Sequence, residues 1–322
     1  MSIIQDSYTF GRSFLTPEAR RKPLRTYLVG GSISASRSPA ILSALFTGDK
    51  LPWTFNLLQT TNKDKFLEIL HDESTIGVSI TMPNKIAFMP LLDGLTEQAR
   101  DIGAVNTAFV RVDGQRRRRY IGANTDCIGI RNTLDSVPGA ASAARGKPAL
   151  VIGSGGAARS AIYALWKYFN PSEIYVVNRI KSEVDDLITG MKDTIPGIKL
   201  RHIQTAEDEA AAAAPTIVVG TIPDYPPKTE DELLVWKICE SFLRRVGTAR
   251  GVLLDMCYMP EPWTRLCRLA SESGCKILLG SEVLVRVCAA QHDLWTEKEP
   301  DPTALKDVLY KMQNVGSPKA KI

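Results

Sequence analysis

A lysine follows a predicted strand end in the first third of the chain. Lys85 closes the stretch GVSITMPNK, in which the apolar, β-branched run from Gly77 to Thr81 predicts a buried strand. Pro83 should end that strand, because proline cannot donate a hydrogen bond to a ladder. In α/β folds, ligands bind outside the carboxyl ends of strands. Lys85 is therefore a candidate for proton chemistry, and a solvent-directed lysine is the alternative for this position taken alone.

Further polar side chains follow neighbouring predicted strands. Asn106 lies in GAVNT, Asp126 lies in GANTD, and Ser34, Ser36 and Ser38 lie in a serine-rich turn. Strand capping and turn formation are the alternative explanation for such residues. Together they would gather hydroxyls, an amide, a carboxylate and an ammonium at one rim of a sheet. A site for a polyhydroxylated acid requires these groups.

A glycine turn between a predicted strand and a predicted helix occupies VIGSGGAARSA, residues 151–161. Glycines permit a tight turn and the close approach of a pyrophosphate, and a helix N-terminus supplies unpaired N–H groups. The spacing is G-x-G-G-A rather than G-x-G-x-x-G, and Ala158 takes the role of the small packing residue. The candidate dinucleotide contacts in this turn are Gly153, Ser154, Gly155, Gly156 and Ala157.

The strand after this turn ends in VVNRI, without the acid that would hold a ribose 2′-hydroxyl. Arg179 stands there instead, and a guanidinium suits a 2′-phosphate. Glu183 follows closely and opposes a phosphate. The sequence therefore favours NADP, with NAD as the alternative, and Asn178 and Arg179 are further candidate contacts.

The elements that must position these residues alternate between strands and helices. We predict an α/β fold with a flexible extension over residues 1–24, a first unit over 25–129 that ends in a hairpin, and a second unit over 130–283. Strand–helix alternation in the second unit indicates a parallel sheet. The last 40 or so residues are predicted to be helical, with no strand of their own to cover.

Composition excludes several classes of protein. The chain has 322 residues, a net charge of +5 and six cysteines without a C-x-x-C pair, so neither a metal site nor a disulfide framework is expected. The charge is dispersed except for the arginines at 116–119, so we expect no nucleic-acid partner. A secretory signal and a membrane span are also not expected. The default is a cytoplasmic protein.

Six motifs in order carry a resemblance to a known family: SASRSP, SITMPNK, GAVNT, GANTD, GSGGA and DMCYMP. Over residues 25–312 the chain resembles the shikimate dehydrogenase family, particularly its fungal shikimate/quinate dehydrogenase-like branch. The resemblance implies an N-terminal α/β substrate domain and a Rossmann-like dinucleotide-binding domain. It also implies that helices in 284–322 return to complete the first domain.

The resemblance further implies the role of individual residues. The catalytic pair would be Lys85 and Asp126, and the substrate contacts would be Ser36, Ser38, Thr81, Asn106 and Tyr258. Oxidation of a secondary alcohol removes a hydride from carbon and a proton from oxygen. Lys85 could relay that proton, and Asp126 could hold and polarise the lysine. The hydroxyls of Ser36 and Ser38 would bind a carboxylate.

The chain departs from the family pattern in the groups that contact substrate. Val287 stands where the family has a glutamine that bonds a ring hydroxyl, and Gln291 one helical turn later is a candidate substitute. Leu42 makes another wall less polar than in the family. Near the coenzyme, Ile180 and Glu183 replace the threonine and the basic residue that the family's NADP users often have.

Three hypotheses follow from these retained and altered residues. The first is an NADP-linked oxidoreductase, monomeric or homodimeric, for shikimate, quinate or a related cyclic acid. The second is a paralogue that reduces a different, less polar ketone. The third is a non-catalytic protein that binds a metabolite of the pathway.

Overall fold

The computed structural model describes residues 3–248 and 251–314. The chain divides into two units, Met1–Ile128 with Leu284–Lys311 and Gly129–Val283 with Met312–Ile322. Both are α/β units, so the fold class expected from the sequence is confirmed. The expectation for residues 315–322 lies outside the described part of the chain.

The first unit is built on a mixed six-stranded sheet. Its strands are β1 (Arg25–Gly30), β2 (Thr54–Gln59), β3 (Thr75–Ile80), β4 (Gly94–Leu95), β5 (Thr107–Val112) and β6 (Arg118–Ala123), in the order β2-β1-β3-β5-β6-β4. β1 pairs in parallel with β2 and β3, whereas β5 is antiparallel to both of its neighbours, β3 and β6. All six residues of β3 are buried, as the continuous apolar run predicted.

Short helices connect these strands. They are α1 (Ile3–Ser7), α2 (Pro17–Arg20), α3 (Ser38–Gly48), α4 (Lys63–His71), α5 (Asn84–Ala87), α6 (Glu97–Ile102) and α7 (Asp126–Leu134), with 3-10 turns at Tyr8–Phe10 and Met89–Leu91. Pro39 lies in the first turn of α3, where its missing N–H has no helical partner to lose. Asn62 caps α4 by accepting from two backbone N–H groups.

The N-terminal segment corrects the expectation of a flexible extension. Residues 3–24 fold onto the first unit, where Arg12 forms a β-bridge with Val112. The guanidinium of Arg111, which is fully buried, donates to the hydroxyl of Ser7 and lies 5.1 Å from the ring centre of Tyr8. The polar composition suggested a solvated tail because the buried cation that these residues contact lies about 100 positions away in sequence.

The second unit contains a fully parallel sheet. Its strands are β7 (Ala149–Ile152), β8 (Ile174–Val177), β9 (Leu200–His202), β10 (Ile217–Gly220), β11 (Val252–Asp255) and β12 (Lys276–Leu279), in the order β12-β11-β10-β7-β8-β9. Each ladder is parallel, as strand–helix alternation predicted. β9 was not predicted from the sequence, because Leu200 and His202 are only partly buried, Arg201 is exposed, and the strand carries little apolar signal.

Helices of the second unit follow its strands. They are α8 (Ala140–Ala144), α9 (Gly156–Ala164) with a π turn at Leu165–Phe169, α10 (Lys181–Thr194), α11 (Ala206–Ala211), α12 (Glu230–Thr248) and α13 (Arg265–Glu272). Across residues 3–248 and 251–314, none of the helices combines the length and the apolar composition needed to cross a bilayer.

Two C-terminal helices follow, α14 (Gly280–Thr296) and α15 (Pro302–Asn314). Within the first unit α14 packs directly on β3 and β5, where Trp295 donates its indole N–H to the carbonyl of Ala108 at 3.0 Å. A Cβ atom on Gly77 of β3 would lie 2.0 Å from the indole nitrogen. Only glycine at position 77 lets the helix approach the sheet this closely.

The contact between Gly77 and Trp295 yields a stability prediction. We expect Gly77→Ala to lower the free energy of unfolding by about 3 kcal/mol, because the added methyl group overlaps a ring that is itself enclosed. Gly114→Ala is the matched control, since a Cβ there meets nothing within 4 Å. Urea unfolding of both variants measures the difference, and equal midpoints for the two would contradict this account.

Candidate active site

Strand register brings the predicted site residues of the first unit to one edge of its sheet. Ser79 of β3 pairs with Thr107 of β5, which pairs with Ala123 of β6. Because β5 runs antiparallel to both neighbours, its first residues lie beside the last residues of β3 and β6. Segments just beyond these strand ends carry Lys85, Asn106 and Asp126. The turn after β1, which is parallel to β3, carries the serines.

Lys85 and Asp126 form a hydrogen-bonded ion pair at this edge. The lysine Nζ lies 2.5 Å from Oδ2 of Asp126, and their side chains are 17% and 9% exposed. The backbone of Lys85 is also fixed, because its carbonyl accepts a hydrogen bond from the N–H of Val105 at 2.9 Å. An ammonium carries three hydrogens, so it can hold Asp126 and still donate to a substrate oxygen. The pair can therefore pass a proton to or from a bound hydroxyl or carbonyl group.

The tight turn before Lys85 determines where the lysine points. Thr81 donates its backbone N–H to the carbonyl of Val29 on β1, and its own carbonyl accepts from the N–H of Asn84. The Asn84 side chain donates to the carbonyl of Thr60 at 2.9 Å. Thr81 itself is half-buried at this rim, where its hydroxyl belongs to the same edge of the sheet as the ion pair.

Asn106 lies behind the ion pair rather than in open solvent. Its side-chain nitrogen donates to Oδ1 of Asp126 at 2.7 Å, and its side-chain oxygen accepts from the backbone N–H of Thr125 at 2.7 Å. Both carboxylate oxygens of Asp126 thus have a donor, one from Asn106 and one from Lys85. A buried carboxylate needs such partners because desolvation penalises its charge.

The two serines predicted to hold a carboxylate lie side by side at the start of α3. The Oγ of Ser36 donates to the Oγ of Ser38 at 3.3 Å, and the N–H of Ser38 also points to the Oγ of Ser36 at 3.3 Å. The sequence analysis missed a third member of this group, Cys288, which hydrogen-bonds Ser38 from α14. Burial raises the pKa of the Cys288 thiol to about 12, so the group beside Ser38 stays neutral.

The positions that depart from the family pattern are buried. Val287 is 6% exposed and keeps a small accessible apolar face, whereas Leu42 is fully enclosed and offers a ligand no surface. The hypothesis that Gln291 substitutes for the missing glutamine is corrected by its contacts. Its amide nitrogen donates to the hydroxyls of Ser79 and Thr107, and the side chain is 1% exposed.

Tyr258, the remaining predicted substrate residue, belongs to the second unit and is half-buried. It follows β11, whose last residue Asp255 is buried and accepts from the hydroxyl of Thr264 at 2.5 Å and the N–H of Cys257 at 3.1 Å. Burial raises the pKa of Asp255 to about 6, partly offset by these hydrogen bonds. Asp255 thus fixes the turn that carries Tyr258.

The glycine turn of the second unit fits a dinucleotide. Gly153 has φ +117°, a conformation that favours glycine, and a Cβ there would lie 2.3 Å from the hydroxyl of Thr221. At Gly155, which precedes α9, a Cβ would meet nothing within 4 Å. No side chain of the described residues caps α9, which leaves its first N–H groups available to a pyrophosphate. Ala158 is buried, as expected of the packing residue.

Charges of both signs lie near the end of β8. Glu183 accepts from the hydroxyl of Ser154 at 2.7 Å and from the Asn178 amide at 2.9 Å, so this acid is adjacent to the glycine turn. Arg179 pairs with Glu232 of α12, and the arginine side chain is half exposed. A ribose diol could bond Glu183, and a 2′-phosphate could bond Arg179. The arrangement holds a group suited to each coenzyme.

Comparisons with known proteins agree with this geometry. Residues 28–108 match the family model for the shikimate dehydrogenase substrate binding domain. A quinate dehydrogenase of Emericella nidulans is 38% identical over 288 residues, which cover 85% of this chain and 88% of that protein.

Solved structures with the same fold include two with substantial identity. The dehydroquinate dehydratase and shikimate dehydrogenase part of AroM from S. pombe is 29% identical with a TM-score of 0.71, and the match covers 96% of this chain and 56% of that one. Shikimate 5-dehydrogenase from Thermus thermophilus, solved with NADP(H) and shikimate, is 26% identical with a TM-score of 0.68 and coverages of 90% and 99%. With most of its length matched to a fungal relative above 30% identity, this chain belongs to the shikimate and quinate dehydrogenase family.

Proposed function

We propose that this chain catalyses reversible hydride transfer at a ring carbon of a hydroxylated cyclic carboxylic acid such as shikimate or quinate, with NADP as coenzyme and NAD as the alternative. The observation that carries the proposal is the Lys85–Asp126 ion pair, 2.5 Å long, at the edge of the substrate-binding sheet. A solvated lysine would not be held by a buried carboxylate that has its own second donor.

Proton movement is the part of the reaction that this pair performs. When bound, the nicotinamide accepts or donates the hydride. During oxidation, the Lys85 ammonium passes one proton to Oδ2 of Asp126 and takes the hydroxyl proton as the carbonyl forms, and during reduction both transfers run in reverse. Asp126 holds the lysine in place and balances its charge, so the ammonium stays aimed at the reacting oxygen.

The proposed substrate contacts are neutral groups. Ser36 and Ser38 offer two adjacent hydroxyls that can donate to a carboxylate, and Thr81 offers a hydroxyl for a ring substituent. An amide nitrogen carries two hydrogens, so Asn106 can donate one to Asp126 and the other to a ring hydroxyl. Such contacts select a polar ring because each hydroxyl left without a partner costs about 1–3 kcal/mol.

The apolar side chain at position 287, which is 6% exposed, favours a second candidate function. A ring hydroxyl facing valine would lose its hydrogen bond with water and gain none. A paralogue that reduces a less polar ketone would keep the Lys85–Asp126 pair and carry this altered wall. The cytoplasmic location and the monomeric or homodimeric state expected from the sequence remain predictions.

The test of the proposed function is reduced-nicotinamide absorbance with NADP⁺ or NAD⁺ and either shikimate or quinate. We expect turnover with one of these acids and its loss, by at least about 100-fold, in Lys85→Ala, because the proton relay is removed. The control is Lys65→Ala, which removes an exposed lysine of α4 and should leave the rate unchanged.

Three outcomes of that assay would contradict the proposal or a part of it. Persistent turnover in Lys85→Ala would refute the relay. Turnover with a less hydroxylated ketone, and with neither acid, would establish the paralogue. Thermal stabilisation by shikimate or quinate without any turnover would establish a non-catalytic binding protein.

Coenzyme choice depends on Arg179 in this proposal. We expect Arg179→Ala to raise KM for NADP⁺ by about tenfold, because a charged hydrogen bond to the 2′-phosphate is lost. KM for NAD⁺ should change by less than about twofold. The control is Lys192→Ala, which removes a basic residue at the far end of α10. Equal effects on both coenzymes would mean that Arg179 does not contact the 2′ position.

The wall at Val287 predicts a gain of affinity. Val287→Gln should lower KM for shikimate or quinate by about fivefold or more, since it supplies a donor and an acceptor for a ring hydroxyl. Val287→Ile keeps the wall apolar and should not improve binding. If both variants behave alike in steady-state kinetics, position 287 does not face the ring.

A further inference from the structure

A chain of buried polar side chains continues from Asp126 into the core of the first unit. Its members are Gln291, Ser79, Thr107, Asn106, Thr125 and Asp126, all buried. Four come from the edge of the sheet where β3, β5 and β6 meet, Asp126 opens α7, and Gln291 comes from α14. The ion pair with Lys85 uses Asp126, and the proposed substrate contact uses Asn106. The proposed reaction has no direct use for the other four members.

Backbone groups determine which way the Asn106 amide points. Its Oδ1 lies 2.7 Å from the backbone N–H of Thr125, which can only donate. The hydroxyls of Thr107 and Thr125 are also directed at Oδ1, at 2.8 and 3.1 Å. The amide nitrogen must therefore face Asp126, where it lies 2.7 Å from Oδ1. Reversing the amide would place its NH₂ against an N–H and its oxygen against a carboxylate.

A backbone carbonyl determines the orientation of the Gln291 amide in the same way. The end of its amide that reaches the network lies 3.4 Å from the backbone carbonyl of Asn106, which can only accept. An oxygen there would be repelled, so this end is the NH₂ group. It donates to the hydroxyls of Ser79 at 2.9 Å and Thr107 at 3.1 Å. The proton of Thr107 has two possible acceptors, Oδ1 of Asn106 at 2.8 Å and the hydroxyl of Thr125 at 3.1 Å, and the shorter distance favours Asn106.

We propose that Gln291 is a positioning residue for the proton relay, acting through Thr107 and Asn106. Gln291 donates to Thr107, Thr107 donates to Asn106, and Asn106 donates to Oδ1 of Asp126. The two amides fix the direction of the first and last of these bonds, and the shorter of two possible acceptor distances favours the direction of the central one. Oδ1 is held as an acceptor, so only Oδ2, which contacts Lys85, is left to take part in proton exchange. The inference rests on the proposed function of the Lys85–Asp126 pair.

Variants that interrupt the chain without changing its volume test this proposal. Gln291→Met removes the amide, and Thr107→Val removes the hydroxyl that links it to Asn106. We expect each to lower kcat by about tenfold while KM for substrate and NADP⁺ stays within about twofold, because the relay is misaligned and the binding groups are intact. Solvent deuterium should slow both variants more than the wild type, since proton transfer becomes more rate-limiting.

Rescue and coupling separate positioning from a general loss of packing. Thr107→Ser keeps the hydroxyl and should retain most of kcat. The double variant Gln291→Met/Thr107→Val should be no slower than the slower single variant, because both act through one path. Thr133→Val is the matched control, since Thr133 is equally buried but its hydroxyl bonds only within its own helix, to Gly129 at 2.7 Å. It should leave kcat unchanged.

Unchanged kcat in both single variants, or effects that multiply in the double variant, would overturn the proposal. A second measurement does not need turnover. The side-chain ¹⁵N–¹H₂ signals of Asn106, assigned by their loss in Asn106→Ser, should shift and exchange faster with solvent in Gln291→Met or Thr107→Val. Signals that stay in place would refute the network even in a wild-type protein without activity, whose inactivity would by itself refute only the proposed dehydrogenase function.

Discussion

Antiparallel insertion of the β5–β6 hairpin beside β3 is the constraint on which the candidate site depends. It places Ser79, Thr107 and Ala123 side by side at one edge of the sheet. Lys85 and Asp126 then meet although 41 residues separate them. A slip of one residue in either pairing would turn alternate side chains to the opposite face and separate the groups. Strand register therefore determines the chemistry before any side chain is oriented.

Burying so many polar groups at a sheet edge is costly, and the structure offsets the cost with partners. Asp126 and Asn106 each use both ends of their side chains, and Thr125 contributes its backbone N–H and its hydroxyl. Helix α14 supplies two of the donors, from Gln291 and from Trp295 one turn later. The spacing of four residues puts both on the same helix face. One helix thus both stabilises the sheet and orders the network behind the ion pair.

The fold of the second unit fits a dinucleotide, whereas its charged side chains favour opposite coenzymes. Its parallel sheet and glycine turn fit NAD and NADP equally well, because both coenzymes contain the pyrophosphate. Arg179 and Glu183 favour opposite coenzymes, and each already has a protein partner, Glu232 for the arginine and Ser154 for the glutamate. The coenzyme preference therefore depends on the balance between the hydrogen bonds of Arg179 and those of Glu183, and not on the presence of one residue.

Local patterns in the sequence determined most elements and the types of side chain at the site. The apolar run before Pro83, the glycines at 153–156 and the alternation of strands and helices each depend on neighbours in sequence, so they could be read without coordinates. The N-terminal segment could not, because the buried partner that orders it, Arg111, is distant in sequence.

Tertiary structure alone decided how the polar groups share their hydrogen bonds. In the sequence Gln291 was a candidate for contacting substrate, whereas the fold buries it and directs its amide to Ser79 and Thr107. Asn106 likewise became a partner of Asp126. The sequence by itself determined which donors and acceptors the protein has. Which donor meets which acceptor depends on strand register and on the approach of α14, and these are properties of the folded chain.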